Sequence, residues 1–440
     1  MPRAEEWVAF VSSARGAAAL EQLYGRRPAV VLQQQARYRS LVEQFQARYP
    51  AETAIELFSS PGRTEIGGNH TDHNAGRVLA AAVDLDIIAA AAPTGDGLIA
   101  LDSAGYPPIT IDTRQLEPVE GERFTSPALC RGVCARFVQQ GYRVGGFKAC
   151  LTSAVPKGAG LSSSAAFELL VAVILNELYN GGKADPLALA QAGFFAETQY
   201  FGKPSGLMDQ TTIATGGFVT IDFKDFSVPL ARDAIATPLV RKVRYDFARS
   251  GFSLVIVETG GDHADLTQEY TAIAAEMQSV AQALGGRLLR EFSRQKLLEK
   301  LPELRTKVSD RAILRALHFY SDDQRVVEQV QMLEEGRFER FLSLVTESGR
   351  SSWMLLQNCY PASDPLHQGI SLALALSELK LATRGAWRVH GGGFAGTIQA
   401  FLPTDLLGEY VSALEAVFGR GACHPVLVRQ VGATRIIFNR

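Results

Sequence analysis

The chain has 440 residues and a formal net charge of −2, and its charges form no long run of one sign. A nucleic-acid-binding protein usually carries a basic stripe or tail, so the composition argues against nucleic acid and favours a small-molecule partner. Hydrophobic residues make up 47% and charged residues 20%, which is ordinary for a globular protein. The length predicts two or three domains.

The cysteines, the opening residues and the apolar stretches argue against a zinc-binding, a secreted and a membrane-spanning protein. The five cysteines are an odd number without the spacing of a zinc site, so we expect buried, reduced thiols in a reducing compartment. The opening residues, MPRAEEW, lack the apolar core of a signal peptide. The most apolar stretch, 78–92, is interrupted by Asp84 and Asp86 and is shorter than the about 20 apolar residues that span a bilayer. We therefore expect a cytoplasmic protein with no membrane contact.

The first 50 residues predict helices, because Leu41, Phe45 and Tyr49 recur every four positions and form one apolar face. The elements predicted next are, in chain order, a strand from Ile55 into a glycine-rich loop at 59–76, strands at 78–92, 97–103 and 108–112, a helix at 127–140, a strand at 147–156, and helices at 164–179 and about 186–199.

Strands at 216–223 and 252–259 flank a predicted domain boundary near residue 240. The second half is predicted to be helical at 265–284, 287–299, 310–333, 336–349 and 365–380, and to close with a strand–loop–strand at 387–403, a helix at 404–418 and two short strands. Helices and strands that separate in this way indicate an α+β protein.

The strongest local signal is PKGAGLSSSAA at 156–166, where a strand ends at Pro156 and a long apolar helix begins. Gly158 and Gly160 permit a positive φ and a close backbone approach. The serines at 162–164 open the helix, whose unpaired N–H groups and positive dipole end attract phosphate. A serine N-cap is the alternative, but one cap explains neither three serines nor two glycines. We therefore favour phosphate binding, although the segment has neither the Walker A nor the GxGxxG pattern.

A second polar loop, SSPGRTEIGGNHTDHNAG at 59–76, collects hydrogen-bonding groups between two apolar strands. Carboxylate, imidazole and amide groups suit a polyol, whose hydroxyls both donate and accept. A solvated turn built from Gly, Asn and Asp explains the same composition, so both interpretations stay open. A third loop, HGGGFAG at 390–396, is either a flexible turn or a backbone surface lying against a ligand.

These three loops occur in the order of the three motifs of the GHMP kinases. PGRTEIGGNHTDHNAG is similar to the galactokinase signature, and AETQYFGKPSGLMDQ at 196–210 resembles a further galactokinase segment. QEYTA at 268–272 and RALHFYSDDQRVVEQVQML at 315–333 resemble two more. The chain is thus identified as a galactokinase-like member of the GHMP kinase superfamily, with a resemblance over about residues 30–440.

The resemblance implies an α+β, two-domain GHMP kinase fold. Residues 1–240 are expected to form an N-terminal mixed α/β domain with the first two loops and the catalytic aspartate. Residues 241–440 are expected to form a helix-rich C-terminal domain with an antiparallel sheet and the third loop. The active site is expected in the cleft between the two domains.

The resemblance also assigns roles to individual residues. Asp209 matches the catalytic aspartate, and Arg63 matches an arginine that lowers its pKa or stabilises the transferring phosphoryl group. Ser164 and Glu197 match ligands of Mg²⁺. The residues matching the ATP-phosphate cradle are Gly158, Gly160, Ser162, Ser163 and Ser164, and those matching sugar contacts are Asn69, His70, Asp72 and Tyr270. General chemistry agrees, because phosphoryl transfer needs positioning and charge neutralisation, a carboxylate can accept a hydroxyl proton and Mg²⁺ prefers oxygen ligands.

The implied activity is ATP- and Mg²⁺-dependent phosphorylation of a sugar at its anomeric hydroxyl, with galactose as the first candidate and a monomer or weak homo-oligomer as the assembly. Asn69 stands where the galactokinase signature has Glu, Glu65 where it has Asn, and His73 where it has Tyr. These departures leave galacturonate, N-acetylgalactosamine and arabinose open as substrates. A catalytically silent sugar sensor is the alternative, although the serine–alanine run, Asp209 and Arg63 are all present. The HTDHN and MDQ runs argue against a kinase for a non-sugar alcohol.

Overall fold

The computed structural model describes residues 1–156, 158–203, 205–224, 238–261 and 266–438. Lys157 and Pro204, which belong to two of the sequence motifs, and residue 265, the first position of one predicted helix, lie outside these ranges. All five cysteines are buried and unpaired, as predicted. Within the described ranges, no helix is both long and apolar enough to cross a membrane.

The described residues form fourteen α-helices. They are α1 (Ala4–Val11), α2 (Ala14–Tyr24), α3 (Pro28–Arg48), α4 (Ser126–Gln139), α5 (Ser163–Asn180), α6 (Pro186–Phe195), α7 (Met208–Thr215), α8 (Thr267–Ala283), α9 (Arg294–Glu299), α10 (Leu301–Leu304), α11 (Asp310–Glu334), α12 (Phe338–Ser351), α13 (Gly369–Leu381) and α14 (Leu407–Phe418). The continuous helix predicted at 287–299 is wrong. A 3₁₀ turn at Leu289–Glu291 comes first, and α9 begins only after Ser293, whose Oγ accepts a hydrogen bond from the backbone N–H of Lys296 at 3.1 Å. This serine cap starts a new helix instead of continuing the turn.

The same residues form twelve strands in two sheets. They are β1 (Glu56–Gly67), β2 (Arg77–Pro93), β3 (Leu98–Ser103), β4 (Ile109–Asp112), β5 (Phe147–Ser153), β6 (Phe218–Asp222), β7 (Leu239–Val243), β8 (Phe252–Glu258), β9 (Ala386–Val389), β10 (Thr397–Pro403), β11 (Cys423–Val426) and β12 (Thr434–Arg435). The first sheet has the order β12-β1-β2-β5-β3-β4, with β6 pairing β2 and β7 pairing β6. The second sheet, β11-β8-β10-β9, is antiparallel. This arrangement confirms the predicted α+β class.

β1 runs through the first half of the loop predicted at 59–76, so that half of the prediction is wrong. All twelve residues of β1 are buried. Its pairing with β2 shifts register between Pro61 and Arg63 and again between Glu65 and Gly67. Bulges of this kind let a strand absorb a proline and glycines that would otherwise end it, and a buried backbone must be hydrogen-bonded.

The two sheets share one apolar core. Leu254 and Ile256 of β8 belong to the same buried cluster as Phe218 of β6, while α13 and α14 pack against the opposite face of the second sheet. β12 returns to the first sheet and pairs with β1. The division of the chain at residue 240 stays a prediction.

Asp86 in β2 ties the N-terminal helices to the first sheet. Its carboxylate accepts hydrogen bonds from the Tyr24 hydroxyl at 2.6 Å, from Arg37 Nη1 at 2.6 Å and from Arg429 Nη1 at 3.1 Å. Ser59 Oγ donates to it as well. Burial alone would raise the pKa of Asp86, but the charges of Arg37 and Arg429 outweigh burial and lower this pKa.

Candidate active site

The three polar loops of the sequence meet in space. Arg63, at the bulge in β1, donates a hydrogen bond from Nη1 to the carbonyl of Gly160. A Cβ on Gly160 would lie 3.0 Å from Nδ1 of His390, so glycine allows the phosphate loop and the third loop to approach closely. Asn69 Nδ2 donates to the carbonyl of Gly391 at 2.8 Å. These contacts join residues 97 and 322 positions apart in the sequence, so the three loops form one site.

Each of these loops holds a non-glycine residue in the left-handed conformation. The φ angles are 57° for His70, 57° for Ser162 and 59° for Phe394. Such conformations cost about 1–3 kcal/mol each and cluster at functional sites. Ser162 occupies the N-cap position of α5, where extended backbone is usual, and its side chain reaches Asp209 instead of capping the helix.

Asp209, in the first turn of α7, is bound by Arg63. Nε of Arg63 donates to Oδ1 and Nη2 donates to Oδ2, both at 2.6 Å, in the bidentate geometry that strengthens such pairs. Ser162 Oγ donates to the same Oδ2. Burial alone would raise the pKa of Asp209, but the charge and hydrogen bonds of Arg63 and the bond from Ser162 outweigh burial and lower this pKa. Asp209 is therefore ionised at neutral pH.

Glu197 lies in a π-helical turn that continues α6, a feature common at functional sites. Its Oε1 accepts from Ser164 Oγ at 3.3 Å and from Lys203 Nζ at 3.1 Å. Its Oε2 accepts from Ser205 Oγ at 2.7 Å and from Gln210 Nε2 at 2.9 Å. The resemblance pairs Ser164 with Glu197, but the other three partners were missed, although Gln210 directly follows Asp209.

Glu168 is a further buried acid that the sequence analysis missed. Gln210 Nε2 donates to its Oε2 at 3.0 Å. Burial, and then the nearby charge of Glu197, raise the pKa of Glu168 well above its usual range, which favours the neutral form of this acid. Glu168 follows Ser164 by four positions on α5, and helix geometry places the two on one face. That spacing was the signal available in the sequence.

Besides Asn69, two more of the predicted sugar contacts bind the third loop. His70 Nε2 lies 2.9 Å from the carbonyl of Gly392, and the Tyr270 hydroxyl donates to the carbonyl of Gly393 at 3.0 Å. Burial and the neighbouring His73 lower the pKa of His70 to about 4, so its ring is neutral at pH 7. Because a carbonyl only accepts, Nε2 carries the ring proton and donates it.

Asp72 lies against the segment that leads into α7. Its Oδ2 would lie 2.7 Å from a Cβ on Gly206, three residues before Asp209. The missing side chain at this glycine lets the second loop approach the catalytic segment. One predicted sugar contact, Asp72, therefore lies beside the segment that carries Asp209.

A cavity of about 1070 Å³ opens beside the serine run. Ser163 and Ser164 lie among its lining residues, and the apolar part of its wall includes Ile87, Leu101, Tyr106, Ile109, Phe124, Leu129, Leu151, Phe167 and Phe201. Its size falls near the range of small-molecule sites. These wall residues come from separate strands, helices and turns, so no local sequence signal marks them.

Comparison with known proteins bears on the family and the fold. The galactokinase galactose-binding signature matches residues 43–93, and the GHMP kinase N-terminal domain matches residues 128–217. The structure of Lactococcus lactis galactokinase complexed with galactose matches with a TM-score of 0.74 at 22% identity, covering 89% of this chain and 98% of that one. Methanococcus jannaschii mevalonate kinase matches with a TM-score of 0.61 at 15% identity, covering 85% and 98%. The architecture is that of a GHMP kinase, as predicted.

A curated galactokinase from Streptomyces coelicolor is 31% identical over 380 residues, which cover 86% of this chain and 92% of the relative. The chain belongs to the galactokinase family and is a sugar kinase. The family predicted from the three loops is confirmed.

Proposed function

We propose that this chain transfers the γ-phosphoryl group of ATP to the anomeric hydroxyl of galactose. The observation that carries the proposal is the hydrogen bond from Ser162 to Asp209. It joins the serine turn assigned to phosphate to the carboxylate assigned to catalysis, so that donor and acceptor would meet at one point. The relatives named galactokinase support galactose as the sugar.

The nucleotide is proposed to occupy the cavity beside Ser163 and Ser164. Apolar and aromatic walls suit a purine base. The two serines lie in the first turn of α5, where free N–H groups and the helix dipole favour phosphate. Gly158 and Gly160 both have a positive φ, and among the described residues, apart from its chain neighbours, no atom lies within 4 Å of a Cβ on Gly158. The loop therefore has space on this side for phosphates.

Mg²⁺ is proposed to bind at Ser164 and Glu197. Their side-chain oxygens lie 3.3 Å apart and are hard ligands of the type Mg²⁺ prefers. The Lys203 ammonium contacts the same Glu197 oxygen at 3.1 Å, so this carboxylate already holds a cation in the structure. Mg²⁺ usually keeps waters and phosphate oxygens as further ligands, so few protein ligands are needed. When bound, the ion would neutralise charge on the phosphates.

Asp209 is proposed to orient the attacking hydroxyl and accept its proton. A carboxylate has about four lone-pair positions, and Arg63 and Ser162 use three of them. Arg63 holds this carboxylate ionised, and its charge would offset the negative charge that develops during transfer. His70, Asp72 and Tyr270 stay predicted as sugar contacts. The fourth residue predicted with them, Asn69, has its hydrogen-bonding groups bound within the protein.

A substrate panel tests the proposed function. ADP release is measured with galactose, N-acetylgalactosamine, galacturonate and arabinose in the presence of ATP and Mg²⁺. We expect turnover with galactose to exceed turnover with the other three. Tight sugar and ATP binding without ADP release would instead indicate a silent sensor, and turnover with galacturonate alone would reassign the substrate.

Replacing Glu197 with glutamine is expected to weaken the binding of Mg²⁺. The substitution keeps the size of the side chain but removes the charge that attracts Mg²⁺. We expect the Mg²⁺ concentration for half-maximal ADP release to rise about tenfold or more. Glu56→Gln is the matched control, because Glu56 is also buried and also accepts from a cation, Arg435. An unchanged Mg²⁺ requirement in Glu197→Gln would exclude Glu197 as a ligand.

The remaining proposals concern assembly and location. We propose a monomer or weak homo-oligomer that acts in the cytoplasm on a sugar and ATP, without nucleic acid or membrane partners. Light scattering at several concentrations tests the assembly.

A further inference from the structure

Three side chains bind three consecutive carbonyls of the third loop. Asn69 Nδ2 donates to Gly391 at 2.8 Å, His70 Nε2 to Gly392 at 2.9 Å and the Tyr270 hydroxyl to Gly393 at 3.0 Å. Asn69 and His70 follow β1, whereas Tyr270 comes from α8. The glycine loop, defined here as residues 391–393, is thus held from two separate elements.

Asn69 differs from its neighbours because its side chain is fully buried, with 0% exposure. Its Nδ2 also donates to Glu65 Oε1 at 2.9 Å, and its Oδ1 accepts from Ser352 Oγ at 3.1 Å and from Asn358 Nδ2 at 2.9 Å. A carboxamide has two N–H donors and two acceptor lone pairs. All four are used within the protein, so none is left for a substrate hydroxyl.

Glu65, which accepts a hydrogen bond from Asn69, is itself held by two residues of the second sheet. Arg388, with 0% side-chain exposure, donates from Nη2 to the same Glu65 Oε1 at 2.8 Å. Gln399 Nε2 donates to the Glu65 carbonyl at 2.6 Å. Arg388 and Gln399 lie on β9 and β10, the strands that carry the glycine loop. Glu65 and Asn69 therefore connect β1 to both ends of that loop.

We infer that Asn69 is a positioning residue that holds the glycine loop in place and does not bind the sugar. The inference rests on the proposed function for the identity of the site, but its contacts stand independently of the sugar. The backbone N–H groups of Gly391 and Gly392 donate to no acceptor in the described part of the chain. Because a peptide unit is planar, fixing the carbonyl of Gly391 also fixes the orientation of the free N–H of Gly392.

Asn69→Asp tests this inference. The substitution keeps the shape of the side chain but places a carboxylate oxygen against two acceptors, Glu65 Oε1 and the carbonyl of Gly391. We expect faster hydrogen exchange in the peptide that contains residues 390–396. We also expect kcat to fall about tenfold or more, with an unchanged ratio of kcat/KM between galactose and arabinose. Adding Glu65→Gln to the Asn69→Asp chain supplies a new donor to the introduced carboxylate and is expected to recover part of both effects.

The matched control is Asn180→Asp. Asn180 is also buried, and its Nδ2 also donates to two carbonyls, those of Arg143 and Leu175. We expect this variant to lose stability without faster exchange in the glycine loop or a lower kcat. Two results for Asn69→Asp would overturn the inference. One is hydrogen exchange in the glycine loop that is as slow as in the wild type, and the other is a change of about tenfold in the ratio of kcat/KM between galactose and arabinose. Hydrogen exchange needs no turnover, so it decides the matter even if no sugar of the panel is phosphorylated.

Discussion

Replacing Asp209 with asparagine is expected to remove most phosphoryl transfer while sugar binding is largely kept. Asparagine has nearly the same shape but cannot accept a proton from the attacking hydroxyl. Proton transfer by a positioned group contributes a factor of about 10² to 10⁴, so we expect a loss of kcat of that order. ADP release measures the rate, and calorimetric titration with sugar measures binding.

The matched control for this prediction is Asp84→Asn. Asp84 is also paired with an arginine, Arg27, but Arg27 and the backbone N–H of Leu427, which contact its carboxylate, lie outside the three loops. We expect this variant to keep its kcat in the folded protein. The pKa of Asp209 is lowered. The pH at which the wild-type kcat falls on acidification should therefore lie below the usual pKa range of an aspartate. An Asp209→Asn enzyme with near-wild-type kcat would show that Asp209 does not accept the proton.

Replacing Asp86 with asparagine is expected to lower the free energy of unfolding more than any other substitution proposed for this chain. Arg37 and Arg429 would lose the charge that compensates theirs, and the Arg429 side chain is fully buried. Breaking a buried ion pair by removing one partner costs about 3–5 kcal/mol, and we expect the free energy of unfolding in urea to fall by that amount.

Asp102→Asn is the surface comparison for Asp86→Asn. Asp102 pairs with Arg48 at 2.8 Å, and both side chains are substantially solvated. Exposed pairs add little to stability because water screens them, so the unfolding midpoint should not move. If Asp86→Asn and Asp102→Asn lowered the free energy of unfolding equally, burial would not determine how much the Asp86 network contributes to stability.

Local signals were sufficient for some parts of the site. The glycines before Ser162 and the apolar run after Ser164 predict a phosphate-binding helix start by short-range rules alone, and α5 begins there. Asp209 and Glu197 carry no such signal, because an isolated acid in a helix is usually a cap or a surface charge. Their roles were predicted only through the resemblance to a family.

Long-range contacts account for most of what the sequence did not predict. Arg388 is a single charge in an apolar strand, and its partner Glu65 lies 323 positions earlier. Pro61 marks a loop by local rules, yet β1 continues past it because both sides of this segment are buried and its pairing shifts register. In each case tertiary burial, which a single sequence does not reveal, decided the local structure.

The return of the chain to the first sheet has a consequence for biosynthesis. Arg429 contacts Asp86 across 343 positions, and β12 pairs with β1. On the ribosome, a nascent chain therefore exposes the edge of β1 and leaves Asp86 without this arginine until translation has passed residue 435. Completion of the first sheet therefore has to wait until the segment that carries Arg429 and β12 has been made.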